Sequence, residues 1–415
     1  MEAIQPVRGT NDFIYAEAEK LKRLDDALRA KAAAYGFQEI CVPVFEHTEL
    51  FTRGIGEETD IVSKEMFTFE DRGGRSLTLR PEGTASIVRA FVTANLQAER
   101  GINKIFYTGT MYRAERPQKG RYREFRQFGV EVIGSSSPLV DAEVILFNLD
   151  LFRTLGLSSL TVKVNSVGCP KCMPVYTEAL RHAFANGLPS LCETCRDRYG
   201  KNILRMLDCK VETCQPILAK APAMREHLCD ECRDHFAQVL GELDKEKVSY
   251  TVDQRLVRGL DYYTKTAFEI QDMSLGSQNA VAGGGRYDGL IAKFNGGKEL
   301  PAIGSALGVE RLMLSLGERL SAPATLDVFV VAFKETSGTL LAVLSALRAA
   351  GLSATADFNL PSIKSQLKTA NKLSARFALI LGPEEAANGE CMVKNMTSGE
   401  EMRVALDKAA ERING

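Results

Sequence analysis

The stretch Lys104–Gly134 reads KIFYTGTMYRAERPQKGRYREFRQFGVEVIG, and it decides the fold. KIFYTGTMYRAERP and EFRQFGVEVIG are two β-rich runs joined by a long basic loop. From Arg113 to Arg126 six basic residues (Arg113, Arg116, Lys119, Arg121, Arg123, Arg126) meet only two acidic ones, and Tyr112, Tyr122 and Phe125 are interleaved. Pro117 and Gly120 tip the loop. A loop held at its base by two strands can bring arginines rigidly to a phosphate, and the guanidinium fork matches phosphate oxygens in pairs. A solvated hairpin tip is the ordinary alternative for such a charge run.

Upstream, residues 14–35 form an amphipathic helix pattern that Gly36 ends. FQEICVPVFE (37–46) reads as a strand, with Pro43 marking an edge or an interface. EMFTFEDRGGRSLTLRP (65–81) carries a hairpin signal at Arg72-Gly73-Gly74, and a helix is predicted from about Gly83 to Leu96. Downstream, AEVILFNLDLFRTLG (142–156) is a helix and LTVKVNS (160–166) a strand. Composition then shifts at Gly168. The segment 168–247 is rich in Cys, Arg and helical pattern and reads as an insertion. Strand patterns resume at KVSYTVDQ, TAFEIQD and AVAGGGRYDGLI, and ALGVERLMLSLG leads into a helix.

After a break at Ser321-Ala322-Pro323-Ala324 the pattern alternates. DVFVVAF, SATADF and FALILG are strands, separated by the helices GTLLAVLSALRAAG and SIKSQLKTANKLSA. This is a small α/β domain with parallel-sheet character. The first part is instead α+β, with a mixed or antiparallel sheet. The expected division is therefore a domain at 1–325, with its insertion at 168–247, and a second domain at 326–415. A chain of 415 residues exceeds what one core usually spans.

Apolar content of 45% and charged content of 25% are ordinary for a soluble globular protein. The net charge of −1 gives no global footprint for nucleic acid, so any such contact must be a local basic patch. No apolar run suits a signal peptide or a membrane span, and the expected location is the cytoplasm. No Walker A motif occurs, and GGGRYDG is a poor dinucleotide fingerprint.

Three smaller motifs stand beside the basic loop. LVRGLDYYTKTAFEI sets Arg258 and Asp261 before the pair Tyr262-Tyr263. Gly283, Gly284 and Gly285 let a ligand or another strand lie against the backbone. Arg311 follows Gly308 at a strand-to-helix junction, where the positive helix end disfavours a cation unless an anion is bound.

RGTNDF (8–13), LTLRPEGTASIVRA (77–90), the loop from Arg113 to Glu131, RGLDYY (258–263), GGGRYDG (283–289) and GVERL (308–312) occur in that order. Together they resemble the histidyl-tRNA synthetase family of class II aminoacyl-tRNA synthetases. The pair RGLDYY and GGGRYDG is particular to that family and its near relatives. The resemblance implies a class II catalytic domain with an antiparallel sheet, a homodimer with Pro43 at its interface, and a C-terminal anticodon-binding domain. It implies ATP and histidine as substrates, Mg²⁺ bridging the β- and γ-phosphates, and the tRNA for histidine as partner.

Residue roles follow from the same resemblance. Arg113 and Arg258 would grip the α-phosphate from two sides, Arg258 standing where related enzymes use a metal ion. Glu115 and Arg311 would position the nucleotide. Glu82, Thr84 and Gln127 would hold the amino-acid backbone groups, and Glu131 and Tyr263, with Tyr262 close by, would bracket the imidazole. Arg116, Gln118 and Arg121 would meet the acceptor end of the tRNA.

Eight of the ten cysteines form four close pairs: Cys169 with Cys172, Cys192 with Cys195, Cys209 with Cys214, and Cys229 with Cys232. Such pairs suit structural Zn²⁺ in two Cys₄ sites. Free buried thiols and disulfides are the alternatives, and His227 or His235 could stand in for a cysteine. The spacing alone does not say which pairs share an ion, and many members of the family lack these cysteines. Two rival functions remain to be weighed: a regulatory chain that has lost aminoacylation, and a class II synthetase for another amino acid.

Overall fold

The computed structural model describes residues 3–257, 259–320 and 326–414, and of residues 277 and 278 the backbone alone. The chain forms two compact units, Met1–Leu320 and Ser321–Gly415.

In the first unit the strands are β1 (Gln38–Glu39), β2 (Phe45–His47), β3 (Phe67–Glu70), β4 (Ser76–Leu79), β5 (Asn103–Tyr112), β6 (Glu124–Ile133) and β7 (Thr161–Ser166). They continue with β8 (Tyr250–Val252), β9 (Thr264–Gln271), β10 (Ala280–Arg286) and β11 (Ala302–Gly308). Eight of them make one sheet in the order β1-β5-β6-β11-β10-β9-β7-β8. Its centre is antiparallel, and its two edge pairings, β1 with β5 and β7 with β8, are parallel. The basic loop thus joins adjacent strands, β5 and β6, each 10 residues long.

The stretch 37–46 is not one strand. β1 ends at Glu39, and β2 joins the separate sheet β2-β4-β3. Proline lacks the N–H that a continuous ladder needs, so the chain changes sheets around Pro43.

One face of the large sheet is covered by the helices Ala16–Ala34 and Pro138–Thr154. Leu24, Leu28, Phe147 and Leu151 pack there on Phe128, Val130 and Val132. Because side chains alternate along a strand, Gln127, Gly129 and Glu131 belong to the opposite face of β6.

The insertion runs between β7 and β8. It contains α- and 3₁₀-helices but no strand among its described residues, and it has its own core around Leu180, Phe184, Met206 and the cysteines. The last helix of this segment, Asp230–Lys245, returns to the main body through a buried polar node. There Asp141 accepts from Arg286 Nε at 3.1 Å and pairs with His235 Nε2 at 2.8 Å, while Arg286 also donates to Ser135 O at 2.8 Å. Burial alone would raise the Asp141 pKa, but the His235 hydrogen bond and the Arg286 charge hold it below the usual carboxylate value.

The second unit holds β12 (Val328–Ala332), β13 (Ala354–Ala356), β14 (Phe377–Leu381), β15 (Glu390–Asn395) and β16 (Glu401–Ala405), ordered β13-β12-β14-β15-β16. The first three are parallel, as read from the sequence. The last two form an antiparallel hairpin that the sequence reading did not foresee. Every residue of β12 is buried, because Ser337–Ala349 covers Val328 and Val330 while Ile363–Lys372 covers Phe329 and Val331. No described helix is long and apolar enough to cross a membrane.

Asp141→Asn should lower the unfolding free energy by about 3 kcal/mol, because it leaves the fully buried Arg286 short of its main counter-charge. Denaturant unfolding of the two proteins measures this. An unchanged midpoint would show that the node contributes little.

Candidate functional site

A cavity of about 200 Å³ opens on the opposite face of the large sheet, and Glu82, Arg113, Gln127, Glu131, Tyr263 and Arg311 are among its walls. The strand register builds it. β11 sets Gly304 opposite Glu131 and Gly308 opposite Gln127, and β5 sets Tyr107 opposite Gly129. A Cβ on Gly304 would overlap the Glu131 carboxylate, and one on Gly129 or Gly83 would overlap the Tyr107 ring. The floor is therefore a set of large polar side chains lying over glycines.

Glu131 is only 1% exposed. Its Oε1 accepts from the Thr84 hydroxyl at 2.8 Å and its Oε2 from the Tyr287 hydroxyl at 2.6 Å. Burial pushes the carboxyl up from 4.5 to about 8, against the pull of those two hydroxyls. Glu82 sits at the start of the helix Thr84–Thr93 and accepts the backbone N–H groups of Thr84 (2.7 Å) and Ala85 (2.8 Å). These are helix-start donors that need a partner. Burial raises the Glu82 pKa as well. The Tyr262 hydroxyl lies 3.4 Å from Glu82, and its ring is 4.8 Å from that of Tyr263. Gln127 Oε1 is buried with no hydrogen-bond partner within the protein.

The other wall is cationic. Arg113 donates through Nε to Pro81 O at 2.9 Å and stacks on Phe125 at 5.3 Å. Arg311, in the first turn of the helix Val309–Leu316, donates to Gly120 O (2.8 Å) and Ala280 O (3.0 Å). Burial and the nearby Arg121 and Arg113 charges lower the Arg311 pKa, although Glu115 opposes this. Guanidinium stays protonated regardless. The crowding is thus a repulsion that an anion between the arginines would relieve. Glu115 is held by an ion pair with Arg121 at 2.9 Å.

The residues named from sequence separate into two groups. Glu82, Thr84, Arg113, Glu115, Gln127, Glu131, Tyr262, Tyr263 and Arg311 line one cavity. Arg116 and Gln118 line an outer hollow on the far side of the loop, and Arg121 borders both. Arg258 lies outside the described residues. The three glycines of GGGRYDG differ in use. Gly283 lines the cavity, Gly284 admits β11, and Gly285 admits the Tyr263 ring. Tyr287 and Tyr107 were given no role from sequence. Tyr287 stands inside a motif read only for its glycines, whereas nothing local marks Tyr107, whose contacts arise across strands.

The cysteines resolve into two groups of four. Cys169, Cys172, Cys229 and Cys232 form an outer set and Cys192, Cys195, Cys209 and Cys214 an inner one, with all sulfurs of a set within 4.8 Å of one another. The first pair in the chain therefore joins the last, and the second joins the third. Sulfurs stand 3.7 Å apart between Cys169 and Cys172, 3.8 Å between Cys169 and Cys229, and 3.9 Å between Cys192 and Cys209. Four sulfurs around one zinc at about 2.3 Å would be about 3.8 Å apart, whereas a disulfide needs about 2.05 Å. None of the eight is in a disulfide. Backbone N–H groups also point at them: Cys192 N to Cys214 Sγ and Cys229 N to Cys172 Sγ, both at 3.2 Å. Neither histidine joins a set. His235 is bound to Asp141, and His227 packs on Tyr176 with ring centres 5.6 Å apart.

A family model described as histidyl-tRNA synthetase matches residues 9–312, and one described as an anticodon binding domain matches residues 327–415. The chain is 49% identical over 403 residues to a histidine–tRNA ligase of Desulforamulus reducens, covering 96% of each. It is 47% identical over 406 residues to that of Syntrophotalea carbinolica, covering 98% of this chain and 97% of the relative. The crystal structure of apo S. aureus histidyl-tRNA synthetase superposes with a TM-score of 0.83 at 34% identity, covering the whole of both chains. A family model spanning most of the chain and relatives matched over nearly their full length lead to one conclusion: the chain belongs to the histidyl-tRNA synthetase family.

Proposed function

We propose that this chain is a histidine–tRNA ligase whose two half-reactions take place in the cavity over β6, β10 and β11. In the first, a carboxylate oxygen of histidine attacks the α-phosphorus of ATP and pyrophosphate leaves. In the second, a 3′-terminal hydroxyl of the tRNA for histidine attacks the carbonyl of the adenylate, and AMP leaves. The observation that carries the reading is the buried Glu131 carboxyl, held by Thr84 and Tyr287 in the same cavity that Arg113 and Arg311 line.

The first step brings two anions together, so fixed positive charge is the main catalytic resource. Arg113, oriented by Pro81 O and Phe125, takes the α-phosphate from one side, and Arg258 takes it from the other. Arg311 and Glu115 hold the nucleotide. Mg²⁺ bound with ATP would neutralise phosphate charge and help pyrophosphate leave.

Glu82 and Gln127 receive the amino-acid backbone groups, the orphaned Gln127 Oε1 being a ready acceptor for the ammonium. Thr84 acts mainly by orienting Glu131. Glu131 and Tyr263 bracket the imidazole, with Tyr262 behind. Burial raises the Glu131 carboxyl, and a carboxyl and a hydroxyl facing an imidazole offer hydrogen bonds that an isosteric apolar side chain cannot match. That discrimination counts against a synthetase for another amino acid. The match to an anticodon-binding domain over 327–415 favours the enzyme over a regulatory chain. Arg116, Gln118 and Arg121 meet the acceptor end of the tRNA outside the cavity.

The enzyme acts in the cytoplasm as a homodimer, and the eight clustered cysteines hold structural Zn²⁺. Exposed Val44 and Phe45 beside Pro43, with Phe69 adjoining, offer an apolar surface for a second copy.

ATP–pyrophosphate exchange with each of the twenty amino acids in turn tests the function. Exchange with histidine alone is expected, and folded protein that exchanges with none would overturn the reading. Arg258→His should abolish exchange, and normal exchange would remove it from the machinery. Glu131→Gln should raise the KM for histidine by about tenfold to a hundredfold and leave that for ATP nearly unchanged. Equal loss for both substrates would count against an imidazole contact.

Glu131 also predicts a pH slope. Its folded pKa of about 8 lies above the ordinary 4.5, so its contribution to stability is fully present below 4.5 and is lost as pH rises towards 8. Urea midpoints of wild type and Glu131→Gln, compared from about pH 5 to about pH 9, should diverge in slope. Parallel curves would mean that the carboxyl is ionised throughout.

A further inference from the structure

The inner cysteine set closes a segment whose longest helix adds little to the insertion's hydrophobic core. The helix Glu193–Lys201 has one buried residue, Cys195. Its sequence, ETCRDRYGK, offers no apolar stripe to dock. The 3₁₀ segment Ile203–Asp208 follows directly, and Cys209 and Cys214 come next. A four-thiolate ion site would thus supply the fixed point that a hydrophobic face usually gives.

What this segment presents to the main body is polar and specific. Arg198 Nη2 (2.7 Å) and Arg205 Nη2 (3.1 Å) both reach Asp60 Oδ2, and Arg198 Nη1 also donates to Arg205 O at 3.1 Å. Asn202 Nδ2 donates to Asp261 Oδ1 at 3.1 Å. Arg255 Nη2 donates to Gln215 Oε1 at 3.0 Å, and Gln215 Nε2 donates to Cys209 O at 2.7 Å. The two carboxylates gripped in this way each lead on to the main body. Asp261 N donates to Ile55 O at 3.1 Å, and Gly56, at φ +107°, packs so tightly on Asp261 that a Cβ would come within 2.9 Å of its Oδ2. Beyond Asp60, Glu65 O accepts from Ala114 N at 2.7 Å. Asp261 immediately precedes Tyr262 and Tyr263, and Ala114 sits between Arg113 and Glu115, so both routes end at cavity walls.

We infer that the inner Cys₄ site, Cys192–Cys195–Cys209–Cys214, is a zinc-held positioning device for histidine activation: through Asn202, Arg198 and Arg205 it clamps Asp261 and Asp60, and so sets the two walls that carry Tyr263 and Arg113. The inference rests on the reading of the chain as a zinc-holding, histidine-activating enzyme. None of the four cysteines lines the cavity, and none is a catalytic residue. The outer set, at the neck of the insertion, is tied to the entry of β9 instead: Lys265 N donates to Gly168 O at 2.6 Å, beside Cys169, and Lys265 Nζ pairs with Glu231 Oε1 at 2.9 Å.

The test uses the full-length chain purified with zinc present. Elemental analysis after desalting should give two zinc ions per chain for wild type and one for Cys192→Ser combined with Cys195→Ser. In pyrophosphate exchange the double variant should raise the KM for histidine about tenfold. Asp60→Asn leaves every cysteine in place. It should keep two zinc ions and an unchanged thermal midpoint, yet show a similar rise in KM, and Asp60→Glu should recover part of it. If Asp60→Asn exchanges with wild-type KM, the clamp is overturned while the zinc reading stands. If wild type carries fewer than two zinc ions, the metal reading falls and the inference falls with it. If wild type binds two ions but shows no histidine-dependent exchange, the fault lies with the proposed function.

Discussion

The pairing of β6 with β11 is the constraint on which the site depends. It sets Glu131 opposite Gly304, and only a residue without a side chain leaves space there for a carboxyl group. With that space, Glu131 can lie flat over the sheet, away from water, within reach of Thr84 and Tyr287. A shift of one residue would turn Gln127 and Glu131 into the core and bring Phe128 and Val130 out to the cleft. The register is secured because the opposite face carries the main hydrophobic core.

Around that carboxyl the cavity divides by charge. One side collects groups suited to an amino acid, namely Glu82, Gln127 and the tyrosines. The other collects arginines whose mutual repulsion is only partly answered by Glu115 and by backbone carbonyls. Such an arrangement is costly when empty and favourable with a polyphosphate bound, which directs binding energy to the region where charge must be stabilised. The anchoring of Arg113 through one nitrogen and of Arg311 through two to backbone carbonyls fixes their position before any ligand arrives, so little reorganisation is needed during reaction.

The insertion follows a different logic from the rest of the molecule. The main body is held by apolar burial against a sheet, whereas the insertion has a small core in which clustered sulfur sits beside its apolar residues. Its nested pairing, first with last and second with third, makes a hairpin-like topology with one closure at the neck and another within. Contacts to the body are then made by charged side chains on the inner closure, where direction matters more than area.

Much of this was legible in the sequence because it is local. The loop between β5 and β6, the hairpin at Arg72-Gly73-Gly74 and the helices all announce themselves through period, turn residues and charge over short spans. The resemblance carried by six ordered motifs supplied the candidate residues, and the cysteine spacing pointed to paired metal ligands. What required the tertiary structure depends on neighbours distant in the chain. Examples are the break of the stretch 37–46 into two sheets, the hold of Tyr287 on Glu131 across 156 positions, the burial that moves that carboxyl to about 8, and the choice of cysteine partners. The closing hairpin of the second unit is the exception, since β15 and β16 are adjacent and their short, half-exposed pattern was simply weak. Sequence by itself determined which side chains were available and on which face each would lie, because strand and helix periods are properties of the local chain. Only the tertiary structure decided which of them meet and how strongly, because contact, desolvation and register arise from packing that no local pattern encodes.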